Sequence, residues 1–88
     1  MKAIILYRPQ SEFARRTDEY AHDFERTRGQ KLEQVDIDST EGARMAELYD
    51  IMQFPTLIIL KDDGQILKDW QGINAFPLMA ELAVSLAA

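Results

Sequence analysis

Tyr49-Asp50-Ile51-Met52-Gln53-Phe54-Pro55-Thr56-Leu57-Ile58-Ile59-Leu60 is the stretch whose reading decides the fold. Thr56 to Leu60 is an unbroken apolar and β-branched run, the pattern of a strand covered on both faces rather than one with a wet side. The proline stands immediately before it, since a residue without an N–H cannot sit inside a central ladder. Ahead of Pro55 the apolar residues Met45, Leu48, Tyr49 and Met52 recur at i, i+3, i+4 and i+7. That spacing predicts a helix from the Ser39-Thr40 cap to about Asp50 with those four residues inward.

Working outward, Asp62-Asp63-Gly64 signals a hairpin, followed by a more polar strand over Gln65 to Trp70 at a sheet edge. Gly72 closes that strand. Asn74 is read as the cap of a last helix with Pro77 in its first turn and Ala75, Leu78, Met79, Leu82 and Leu86 as its buried stripe. On the other side, Lys2 to Tyr7 reads as a buried central strand, broken by Arg8-Pro9-Gln10. Ser11 is taken as the N-cap of a first helix, with Phe13, Thr17, Tyr20, Ala21 and Phe24 at helical spacing until Gly29. Leu32 to Asp38, with the alternation Val35-Asp36-Ile37-Asp38, is the remaining strand. The order βαβ then αββα puts the first two strands parallel through a right-handed crossover and the last two in an antiparallel hairpin. The expectation is an α/β domain over residues 1–88 with a four-stranded mixed sheet and helices on both faces.

The chain has 88 residues, 47% of them hydrophobic and 28% charged, which is ordinary for one globular domain. A net charge of −5 with interleaved signs offers no basic stripe for nucleic acid or anionic lipid. The apolar runs Ala3 to Tyr7 and Thr56 to Leu60 fall far short of the ~20 residues that span a bilayer, so the default compartment is the cytoplasm. The chain contains no cysteine, which removes disulfides, thiolate metal sites and thiol nucleophiles.

Val35-Asp36-Ile37-Asp38, the helix ending Leu48-Tyr49, Phe54-Pro55-Thr56, the Lys61-Asp62-Asp63-Gly64 turn and Gly72 together resemble the thioredoxin-like superfamily, in its minimal βαβαββα form close in size to glutaredoxins. The resemblance covers nearly the whole chain and implies a cis-proline at Pro55 beside a redox corner. It also implies that the family's Cys-x-x-Cys falls on Ser11-Glu12-Phe13-Ala14, so serine and alanine stand where the two cysteines would be. The same pattern is what a deliberately inactivated oxidoreductase shows, though a redox-inactive member needs fewer assumptions. Serine catalysis has no evident base, because His22 falls on the opposite side of the helix from Phe13.

The resemblance places Arg8, Gln10, Ser11, Phe13, Gln53, Phe54 and Pro55, and with them Trp70, around a groove. There the main chain of Phe54 is expected to pair with an extended peptide or with glutathione. Phe13 and Trp70 are equally readable as core aromatics, and Ser11 as a plain helix cap. Three functions stay open: a redox-inactive module binding a protein or peptide noncovalently, a glutathione-binding or transferase-like protein using the hydroxyl of Tyr7 or Ser11, and a disabled thiol-disulfide oxidoreductase. No cofactor is implied. Asp36 to Gly42 with Glu47 is a poor calcium loop, because its sixth position is Glu41 and Asp36 lies in a predicted strand.

Overall fold

The computed structural model describes residues 1–87. Its elements are β1 (Lys2–Tyr7), α1 (Ala14–Arg28), β2 (Glu33–Asp36), α2 (Thr40–Leu48), β3 (Thr56–Leu60), β4 (Ile66–Gln71), a 3-10 turn (Ile73–Ala75) and α3 (Met79–Ala87). The sheet order is β2-β1-β3-β4, with β1 parallel to β2 and β3 antiparallel to both β1 and β4. The two continuous apolar runs are therefore the two central strands, and the polar strand lies at an edge, as the patterning requires.

Each central strand sends alternate side chains to opposite faces, and each face is sealed by helices. Ala3, Ile5, Leu57 and Ile59 pack with Ala21 and Phe24 of α1 and Leu82 of α3. Ile4, Leu6, Ile58 and Leu60 pack with Val35, Ile37, Met45 and Ile51 on the α2 side. Fully burying a side chain such as Phe24 or Leu82 stabilises the fold by about 1.5–3 kcal/mol, so these contacts carry the domain. Gly29 ends α1 with φ 70°, donating its N–H to the Glu25 carbonyl at 2.9 Å.

Three sequence expectations are corrected. Helix α1 starts at Ala14, and Ser11 does not cap it. The chain makes two successive turns first, Ser11 N–H to the Arg8 carbonyl at 3.0 Å and Ala14 N–H to the Ser11 carbonyl at 3.2 Å. The Ser11 hydroxyl accepts only from Phe13 N–H, two residues on, at 3.3 Å. Leu48 and Met52 are not inward, being 63% and 77% exposed. Here α2 closes with Asp50 at φ 55°, so that Ile51 N–H reaches the Ala46 carbonyl at 2.8 Å and Asp50 N–H reaches the Glu47 carbonyl at 3.3 Å. That reversal drives Ile51 into the core and Met52 out.

The third correction concerns the C-terminal segment, where Asn74 caps nothing and Pro77 precedes α3. Asn74 accepts from Arg16 instead, at 3.3 Å, and the Pro77 carbonyl accepts from the Tyr20 hydroxyl at 2.9 Å. Because α3 begins later than its apolar spacing suggested, Ala75 and Leu78 are exposed and the inner face is Leu82 and Ser85 flanked by Met79, Ala83 and Leu86.

Candidate functional site

The loop from Met52 to Pro55 is held in place from the neighbouring strand. Register places Thr56 opposite Gln71, so the Gln71 side chain lies over the loop. Its Oε1 accepts from Met52 N–H at 3.0 Å and Gln53 N–H at 3.3 Å, while Asp69 fixes its amide from the other side at 2.9 Å. Gly72 N–H donates to the Pro55 carbonyl at 2.8 Å, and the Thr56 hydroxyl donates to the Gln53 carbonyl. Gly72 has φ 94°, a backbone that favours glycine, and a Cβ there would sit 3.0 Å from the Gln53 side-chain oxygen. The Phe54–Pro55 peptide bond is cis.

Within this braced loop Phe54 differs from its neighbours. Among the described residues, neither its N–H nor its C=O has a hydrogen-bond partner. It borders a cleft of about 430 Å³ lined by Phe13, Gln53, Phe54 and the run Gln71 to Ala75. That wall is apolar and amide-bearing, with no ionisable side chain.

The predicted site residues do not all come together. Phe13, Gln53 and Phe54 meet in the cleft, with buried Pro55 beneath Phe54. Arg8 and Gln10 line a separate hollow of about 250 Å³ with Asp36 and Asp38, where Arg8 Nε donates to Asp38 at 3.3 Å. Half-buried Ser11 and Ala14 stand at the turn into α1, and Glu12 points to solvent. Trp70 packs against the core on the α1 and α3 face, with the Lys68 ammonium 5.8 Å from its ring centre. Missing from the sequence reading were Gln71 to Ala75, five of the eight wall residues. Pairing of β4 with β3, shifted by one residue between Ile59 and Leu60, is what sets them beside the loop.

Catalytic potential near Ser11 is small. Its hydroxyl accepts from a main-chain N–H, and His22 lines a different hollow with Asp18 and Lys31. Tyr7 is half-buried against the core, and burial, then the charges of Asp18 and Asp36, push its phenol above the ordinary value. Asp36 lies in β2 and accepts from Asp38 N–H at 2.8 Å, a strand-end turn.

No protein-family model matches the chain, and no curated protein matches it in sequence. Solved structures do. Thioredoxin 1 from the thermophilic eubacterium Thermosipho africanus superposes with a TM-score of 0.67 at 14% identity, over 99% of this chain and 91% of that one. Mitochondrial thioredoxin 3 of Saccharomyces cerevisiae gives 0.69 at 16% identity, over 97% and 74%. The germline-specific thioredoxin Deadhead of Drosophila melanogaster gives 0.67 at 20%, over 98% and 79%. The chain therefore has a thioredoxin-like fold. Without cysteine it lacks the sulfur atoms that thiol–disulfide exchange requires.

Proposed function

We propose that this chain is a redox-inactive thioredoxin-like binding module that holds an extended polypeptide segment noncovalently in the Phe13, Gln53 and Phe54 cleft. The observation that carries the reading is the free main chain of Phe54, a donor and an acceptor left open between the bound N–H groups of Met52 and Gln53 and the bound carbonyls of Gln53 and Pro55. An extended peptide satisfies both at once, while Phe13, Phe54 and Ile73 receive an apolar side chain and the amides of Gln53 and Asn74 meet its polar groups. The neutral wall favours an uncharged segment, and the compartment we assign is the cytoplasm.

Glutathione binding through Tyr7 or Ser11 draws less support. The carboxylates of Asp18 and Asp36 bear on the Tyr7 phenol and would oppose a thiolate beside it, and Arg8 is already engaged by Asp38.

A random peptide library displayed on phage tests the proposal. Selected peptides, titrated into isotopically labelled protein, should shift the amides of Phe13, Gln53, Phe54 and Ile73. N-methylation of the one peptide residue paired with Phe54 should weaken binding about three- to tenfold, the worth of a hydrogen bond. Peptides that shift amides elsewhere, or whose affinity ignores N-methylation at every position, would show the reading to be wrong.

A further inference from the structure

A second surface lies where α1 meets the segment between the 3-10 turn and α3. A groove of about 310 Å³ runs there, walled by Tyr20, Ile73, Phe76 and Met79. It is preformed: the Tyr20 and Phe76 rings pack edge to face at 5.1 Å and 76°, and the Tyr20 hydroxyl is anchored on the Pro77 carbonyl. Between Phe76 and Met79 of that wall, Leu78 projects into solvent, 79% exposed.

The charges around the groove are unevenly matched. On α1, Glu19 is paired with Arg15 at 3.2 Å and Asp23 with Arg26 at 3.1 Å. Arg16, which also lines the groove, contacts only the neutral Asn74, and among the described residues it meets no carboxylate. Glu81, on the first turn of α3 and close enough to act on the Tyr20 phenol, likewise meets no cation. One face thus carries an apolar hole, an apolar knob beside it, one unmatched cation and one unmatched anion.

A surface holding both halves of each complementary pair is what a two-fold interface needs, because every contact is then made twice. We propose that two copies of this chain associate through this face, Leu78 of each seating in the Tyr20, Ile73, Phe76 and Met79 groove of the other while Arg16 of each meets Glu81 of the other. A different protein partner would need to supply the knob and the charges; a second copy already has them. The proposal does not depend on peptide binding at the Phe54 cleft.

Sedimentation velocity over roughly three decades of micromolar concentration, at low salt, should show a monomer–dimer equilibrium. Leu78→Glu should weaken it about 10²- to 10⁴-fold, because each dimer loses two buried leucines, whereas Leu48→Glu, also exposed but on the opposite face of the sheet, should leave it unchanged. Arg16→Glu and Glu81→Arg should each weaken the dimer, and the two together in one chain should restore it. Far-UV circular dichroism verifies that each variant is folded. A sedimentation coefficient fixed at the monomer value throughout would overturn the proposal. So would a dimer indifferent to Leu78→Glu, or a charge swap that fails to recover association.

Discussion

Gly42→Ala sets helix propensity against space, and the structure decides the sign. Gly42 lies in the first turn of α2, where alanine should favour the helix by about 1 kcal/mol. A Cβ at this position, however, would come 2.0 Å from the Asp36 carbonyl oxygen and 2.9 Å from the Ile37 Cα, both backbone atoms that cannot swing aside. The oxygen is itself fixed, accepting from Ser39 N–H at 3.0 Å and the Ser39 hydroxyl at 2.6 Å, and Gly42 N–H is bound by the same hydroxyl at 3.0 Å. Relief requires α2 to lift off the end of β2. Overpacking costs about 1–3 kcal/mol, and straining the hydrogen bonds around Ser39 costs about 2 more together. After the propensity gain, the net expectation is a loss of about 2–4 kcal/mol. The whole domain of 88 residues has only about 4–13 kcal/mol. Urea unfolding should therefore show a midpoint lower by about 2 M, and thermal unfolding a Tm lower by about 8–32 °C. Ala43→Gly, at the exposed next position, should lose only the ~1 kcal/mol of propensity. A Gly42→Ala protein as stable as its parent would refute the account of how α2 meets β2.

Burial, then the Glu81 charge, raises the Tyr20 phenol from 10.0 to about 12. Folding favours the protonated ring, so its contribution is complete below pH 10 and is lost as pH rises from 10 toward 12; ultraviolet titration should show a phenol ionising near pH 12 that disappears in Tyr20→Phe, while the raised Tyr7 phenol stays. The bond from Ala14 N–H to the Ser11 carbonyl folds residues 11 to 14 into a turn that brings their Cα atoms within about 7 Å, inside disulfide reach. Ser11→Cys with Ala14→Cys should lose two hydrogens on air oxidation by mass spectrometry, and recovery of disulfide reductase activity would favour a disabled oxidoreductase over a binding module. Gln71→Ala leaves Met52 and Gln53 N–H without their acceptor, so those two amides should exchange with deuterium about tenfold faster while β3 stays protected.

The sheet was legible because β1 and β3 are buried on both sides and must be apolar throughout, which periodicity reports directly. Helix ends were less so. A serine that accepts from the N–H two residues on looks the same in sequence as one that caps, and this is why α1 begins three residues after Ser11. The reversal at Asp50 uses an aspartate where glycine is the usual marker, so nothing in the sequence announced that Leu48 and Met52 would face out. Leu78 was misplaced because a 3-10 turn delays α3. At the cleft, Phe13, Gln53 and Phe54 were found together because two chain segments carried the resemblance. Gln71 to Ala75 were missed because their place follows from strand register, a property of pairing rather than of local pattern.

What the fold retains at this corner is geometry without reactive atoms, and that limits how it can work. With no thiol to form a mixed disulfide, a chain bound as proposed would be held only by what the cleft offers: two main-chain hydrogen bonds at Phe54, a short apolar wall and the amides of Gln53 and Asn74. Each hydrogen bond contributes a net 0.5–1.5 kcal/mol or so, and association costs at least about 4 kcal/mol. Affinity therefore depends on holding the loop still before the partner arrives, since any ordering left to do subtracts from a small surplus. Gln71 and Gly72 supply that order, binding the Met52 and Gln53 N–H groups and the Pro55 carbonyl, while the residue between them stays open. The bracing and the opening make sense together: with Gln53 and Pro55 bound on either side, the open N–H and C=O of Phe54 are presented in a fixed direction.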